Sequence, residues 1–155
     1  VVVRAPWLTA GYLHDAEASA ALWDGGYLHT GDIGVRDATG SLNITDRLKD
    51  VIKCSGEWLS SLELESLLSE HPAVGEVAVI GVPDDKWGER PRALVVLKAG
   101  CDKDANALCE PVKRQVDVGH LSRYARLLQI DFVESLPRTS VGKLDKKTMR
   151  KRVKS

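Results

Sequence analysis

The sequence predicts an α+β fold, and three observations carry that prediction. Two strongly apolar runs, GEVAVIGVP and RALVVLKAG, are bounded by Gly and Pro in the manner of paired central strands. The stretch SSLELESLLSEHP spaces Leu62, Leu64, Leu67 and Leu68 as a helical stripe. Its Ser60 and Glu63 stand at capping-box distance and Pro72 ends it. A third strand, LLQIDFVESLP, precedes a basic helix expected from about Asp145. Together these make a small unit with a three-stranded sheet packed by helices.

Taken in order, residues 1–46 are rich in Gly, Trp and Tyr. Turn signals at Asp24-Gly25-Gly26 and Ala38-Thr39-Gly40 bracket YLHTGDIGVR and SLNIT, which read as strands of a short β-rich unit. DAEASAALW, residues 15–23, reads as a helix opening at Asp15. Residues 47–50 mark the change of texture. DVIKCS is then a short strand punctuated by Gly56, and residues 104–117 and 119–127 read as helices. The chain opens mid-strand with VVVRAP, so we expect it to be a piece of a longer protein. Its small second unit offers no cleft and is expected to complete a site supplied elsewhere.

Equal numbers of acidic and basic residues, 22 each, give no global field toward nucleic acid or anionic membrane. Lys143 to Lys154 is locally basic, with Asp145 its only acid. No aromatic interleaving or helix-turn-helix pattern accompanies it, so no nucleic-acid partner is expected. Cys54, Cys101 and Cys109 form an odd set without a CxxC, which suits a reducing cytosol and argues against a disulfide framework or a zinc site. No metal-ligating residues are expected in this chain. No apolar run reaches the length of a transmembrane segment.

Five polar places stand out. Asp32 in HTGDIG either satisfies its own turn or receives the two hydroxyls of a ribose. Asp46-Arg47-Leu48-Lys49-Asp50 is either a solvated linker or a hinge, with Arg47 able to fork onto a phosphate or ribose. Lys53 belongs to the strand that leads into CSGEW. There Gly56 permits a positive φ or close backbone approach, and Glu57 and Trp58 would line that approach. Lys143 lies in PRTSVGKLDKK, which resembles half of a phosphate-binding loop. Pro137 stands where a Walker A loop needs its first glycine, and Leu144 replaces the magnesium-binding Ser/Thr.

In this order the stretches resemble one superfamily. GYLHTGDIGVRDATGSLNITDRLKDVIKCSGEWLSSLELESLL, HPAVGEVAVIGVPDDKWGERPRALVVL and LPRTSVGKLDKKTMR are similar to the C-terminal region of adenylate-forming enzymes. That superfamily holds acyl-CoA synthetases, peptide-synthetase adenylation domains and luciferases. KCSGEWLSS followed by KWGERP is most similar to medium- and long-chain fatty-acyl-CoA ligases, and the resemblance is weakest from Cys101 to Leu127.

The resemblance implies two steps. A carboxylate and Mg-ATP give acyl-adenylate and pyrophosphate, and CoA thiol then yields thioester and AMP. It implies residues 1–46 as the end of an N-terminal domain, 47–50 as a hinge centred on Lys49, and 51–155 as a mobile lid. Asp32 and Arg47 would bind the nucleotide, and Lys143 would serve adenylation. Lys53, Gly56 and Glu57 would belong to the loop of the thioester step. The phosphate loop, acyl pocket and most Mg2+ contacts would lie in an absent N-terminal domain, the chain's main partner, so the chain alone is expected to be inactive.

A carrier protein replaces CoA as acceptor in the nearest alternative, and a non-catalytic docking module is the other. Pro137 with Gly142-Lys143 is also similar to a site of reversible lysine acylation, which implies acylating and deacylating enzymes as partners. Exposed strand edges in residues 1–46 would permit a dimer.

Overall fold

The computed structural model describes residues 1–153, and the chain divides into two compact units, one spanning Val1–Lys49 and a second that begins at Asp50. The predicted basic stretch runs past the described residues at Lys154.

In the first unit, β1 (Val2–Val3) pairs antiparallel with β2 (Leu28–His29). Between them α1 (Ala16–Leu22) opens at Asp15, whose carboxylate accepts the Ala18 N–H at 2.9 Å. The stretch YLHTGDIGVR does not form one strand. Gly31 turns the chain at φ +73°, separating β2 from β3 (Asp32–Arg36), which forms a hairpin with β4 (Leu42–Arg47). Val35, Leu42 and Ile44 on this hairpin remain exposed, as do Trp7 and Leu13. Asp46 alone among these residues is fully buried, so the unit has no apolar core of its own.

The second unit starts with β5 (Ile52–Cys54) and β6 (Glu57–Leu59), an antiparallel pair. Next come α2 (Ser61–Ser69), β7 (Val74–Asp84), β8 (Gly88–Leu97) and α3 (Ala105–Asp117). A 3-10 turn over Arg123–Leu127, β9 (Gln129–Phe132) and α4 (Lys146–Val153) complete it. The sheet has five strands in the order β6-β5-β8-β7, with β9 parallel to β8. The three expected core strands are present, the short strand expected in DVIKCS joins them as β5, and β6 makes the sheet five-stranded. Gly56 punctuates the strand as a turn: Ser55 and Gly56 both adopt positive φ, +51° and +84°, as a two-residue primed hairpin turn requires, so β5 ends at Cys54 and the chain folds straight back into β6.

β7 and β8 pair along their whole length. Val77 and Val79 face one apolar cluster with α2 and α3, while Ala78 and Ile80 face the other with Met149 of α4. Cover on both faces explains why the run is continuously apolar. Within α2, Leu64 and Leu68 are buried but Leu62 points outward, so the stripe is narrower than the leucines suggested. The predicted helix over 119–127 shrinks to its last five residues, where Ser122 caps a single tight turn. Lys146 of α4 pairs with Glu65 of α2 at 2.7 Å, both largely buried. Glu65 also accepts the Val79 N–H at 2.7 Å, so one ion pair fastens both helices to β7.

Ser60 accepts the Glu63 N–H at 3.1 Å. Ser60→Ala is therefore expected to lower stability by about 1 kcal/mol. The shift of the urea-unfolding midpoint measures it, and an unchanged midpoint would deny the cap any energetic role.

Candidate functional site

At the start of β3, Asp32 stands opposite Arg47 across the hairpin, and Arg47 Nε donates to Asp32 Oδ1 at 3.1 Å. Thr30, not Asp32, closes the turn: its hydroxyl accepts the Asp32 N–H at 3.1 Å. The Asp32 carboxylate is thus held by a guanidinium on the neighbouring strand. The register slips between Ile33 and Gly34, where β4 carries an extra residue, and Asp46 turns inward there. Asp46 Oδ1 accepts the Arg47 N–H at 2.7 Å.

The charged run 46–50 is therefore not simply a solvated linker. Asp46 is buried, Arg47 is paired, and Asp50 meets Arg150 of α4 at 2.8 Å. Lys49 is exposed, in the turn over 48–50, and is the last residue of the first unit.

The second cluster surrounds the Ser55-Gly56 turn. Lys53 N–H donates to Glu89 Oε2 at 2.8 Å, and Lys53 Nζ lies 6.0 Å from the Trp58 ring centre. Ser55 N–H donates to the Trp87 carbonyl at 2.7 Å, which ties the turn to the β7–β8 hairpin end. Ser122 donates its hydroxyl to Glu57. Tyr124 packs on Trp87 with ring centres 5.5 Å apart. A side-chain hydrogen bond with Ser55, helped by Arg123, holds the Tyr124 phenol below its usual range. Burial pushes the neighbouring Cys54 thiol up, which keeps it an inert core residue. A Cβ at Gly56 would meet nothing within 4 Å, so the backbone there is open to a close ligand.

The third element is the loop from Pro137 to Lys147. Gly142 stands at the turn of this loop. At φ +79° it closes a tight turn, its N–H donating to the Thr139 carbonyl at 2.9 Å. Thr139 N–H reaches the Lys143 carbonyl at 2.8 Å, and Lys143 N–H reaches Thr139 Oγ1 at 3.2 Å. The Lys143 backbone is thus fixed while its side chain is exposed, with no hydrogen bond or ion pair at Nζ among the described residues. Asp145 then accepts the Thr148 N–H and hydroxyl, which hold its carboxyl below the usual range and start α4. Half of a phosphate loop has become a rigid turn carrying one free ammonium.

A cleft of about 530 Å³ lined by Arg92, Leu94, Val133 and Met149 does form, contrary to expectation, but none of the candidate residues lines it. Among the described residues no group of three or more His, Cys, Asp or Glu converges to hold a metal ion. No helix among them is long and apolar enough to cross a membrane.

The family model of the AMP-binding enzyme C-terminal domain matches residues 63–143, from the first turn of α2 to the candidate lysine. The chain belongs to this family. As an AMP-binding enzyme C-terminal domain it is 39% identical, over its whole length, to a long-chain-fatty-acid–CoA ligase of Thermus thermophilus. It is 42% identical over 97% of its length to the 2-methylpropanoate–CoA ligase CCL4 of Humulus lupulus. Among solved structures, ATP-bound MatB from Rhodopseudomonas palustris superposes with a TM-score of 0.86 at 31% identity, covering 99% of this chain and 30% of that one. The chain spans 28% of the Thermus ligase and 27% of the hop ligase. The family match includes Lys143 and leaves Asp32, Arg47, Lys49, Lys53, Gly56 and Glu57 outside it.

Sequence reasoning passed over Glu89, Ser122 and Tyr124, which hold the Ser55-Gly56 turn. WGERP contained Glu89, but nothing local marks a carboxylate that serves a backbone N–H 36 residues away.

Proposed function

We propose that this chain is the C-terminal part of an AMP-forming acyl-CoA ligase. One oxygen of the carboxylate attacks the α-phosphorus of ATP, and pyrophosphate leaves with the bonding pair. The CoA sulfur then attacks the acyl carbon of the adenylate, and AMP leaves as the thiol proton passes to solvent. Asp32 receives the ribose hydroxyls and Arg47 steadies the same nucleotide. Lys143 stabilises charge at phosphorus in the first step. Lys53, Gly56 and Glu57 serve the second, in which the Gly56 backbone admits the pantetheine arm.

The observation that carries this reading lies in the second unit. The Ser55-Gly56 turn bonds to Trp87, at the hairpin end of β7, whereas the Lys143 loop is tied to Glu76, near its other end. From Glu76 to Asp84 is eight strand steps, or roughly 26 Å. One reacting centre cannot meet both loops at once, so residues 51–155 act as a lid that presents them in turn, with Lys49 in the hinge over 47–50 and residues 1–46 closing the N-terminal domain. Gating of this type completes a site rather than containing it.

Most magnesium contacts and the acyl-chain contacts fall to residues outside this chain. A medium- or long-chain fatty acid is the acid and the cytoplasm the compartment. Acylation of Lys143 would remove the charge the first step uses, making acylating and deacylating enzymes regulatory partners. Exposed strand edges of the first unit permit self-association.

The full-length protein, given fatty acid, ATP and CoA, is expected to form acyl-CoA, AMP and pyrophosphate in equal amounts, while the 155-residue chain alone catalyses no ATP–pyrophosphate exchange. Release of ADP and phosphate instead would reject the reaction class.

A further inference from the structure

Arg138 links the Lys143 loop to the sheet. Its Nη1 donates to the Gly142 carbonyl at 2.9 Å, and its Nη2 meets Glu76 Oε2 on β7 at 3.0 Å. The Gly142 carbonyl belongs to the peptide plane that leads into Lys143, so holding that oxygen sets the direction in which the Lys143 Cα departs. Thr139 fixes Lys143 from within the loop, through its N–H and hydroxyl. The Arg138 side chain carries the restraint outward to β7. About half of each partner's side chain is in solvent, and ion pairs so exposed contribute little to stability. A guanidinium suits the task because its planar fork reaches two acceptors at once, which an ammonium does less well.

We infer that Arg138 is a positioning residue for adenylation: with Glu76 as its anchor, it aims Lys143 through the Gly142 carbonyl. The inference rests on the role of Lys143 proposed above and assigns its geometry to Arg138, to which that reading gives no role.

The test uses the full-length enzyme and measures the two half-reactions separately. Arg138→Ala is expected to slow adenylation roughly 10- to 100-fold, as small misplacements of a catalytic group do, with the KM for ATP little changed. Acyl transfer from supplied acyl-adenylate to CoA should stay within about twofold of the parent rate. Arg138→Lys should restore part of the loss. Glu76→Gln, which keeps the bond to Gly142 but removes the charge of its anchor, should show a smaller loss of the same kind. On a Lys143→Ala background, Arg138→Ala should add no further loss, since both act through one ammonium.

Undiminished adenylation in Arg138→Ala, beside a collapse in Lys143→Ala, would overturn the inference and leave the ligase reading intact. Undiminished adenylation in Lys143→Ala would remove the reading itself. Equal loss of both half-reactions in Arg138→Ala and Glu76→Gln would show a merely structural contact and would also overturn the inference.

Discussion

Replacing Lys143 by alanine in the full-length protein is expected to slow acyl-adenylate formation by about 10² to 10³, or roughly 3–4 kcal/mol in the barrier, the usual loss when one preorganised contact to developing charge is removed. The size follows from the loop's construction. The lysine backbone is hydrogen-bonded on both sides of its Cα, while its ammonium is exposed and carries no ion pair among the described residues. No partner has to be given up when a phosphate arrives, and no backbone ordering is left to be done. Folding should be untouched, since no core contact depends on that side chain. Quenched-flow measurement of adenylate appearance, alongside a thermal melt, separates a catalytic loss from unfolding.

Gly56→Val is expected to do the opposite. The residue sits at φ +84° beside Ser55 at +51°, and a β-branched side chain at such a φ is strained by about 1–3 kcal/mol. The space beyond its missing Cβ is open in this structure, so the added methyl groups project into the proposed path of the pantetheine arm. Thioester formation should slow by roughly 10- to 100-fold, with adenylation near the parent rate. Gly56→Ala should fall between the two, since it adds strain with less bulk. Steady-state KM for CoA, compared with kcat, shows whether the arm is excluded or merely misaligned.

Much of the fold was legible because its strongest elements are local. The VAVI segment of β7 and its partner in β8 are apolar on both faces, and Ser60 and Pro72 bracket α2, so pattern alone finds them. β6 was not legible: Glu57 and Trp58, two of its three residues, are exposed, and only the primed turn at Ser55-Gly56 explains why the chain folds back there. Leu62 misled because four closely spaced leucines cannot all face one side of a nine-residue helix.

The candidate site divides the same way. Gly56 and Gly142-Lys143 announce themselves by composition. What holds them does not: Arg138 finds Glu76 across 62 positions, and Tyr124 finds Ser55 across 69. Long-range pairings of this kind leave no periodicity and no motif. Asp46 was hidden by its neighbours, for a buried acid next to Arg47 reads as one more surface charge.

One crossed comparison bears most directly on the idea of two loops serving two steps from opposite ends of one hairpin. In the full-length protein, single-turnover rates are measured for parent, Lys143→Ala and Gly56→Val, once from carboxylate with ATP and once from supplied adenylate with CoA. The loops' separation predicts a crossing: the lysine variant fails only in the first reaction and the glycine variant only in the second. If both variants slowed the same reaction and spared the other, a lid that alternates between the two loops would be contradicted.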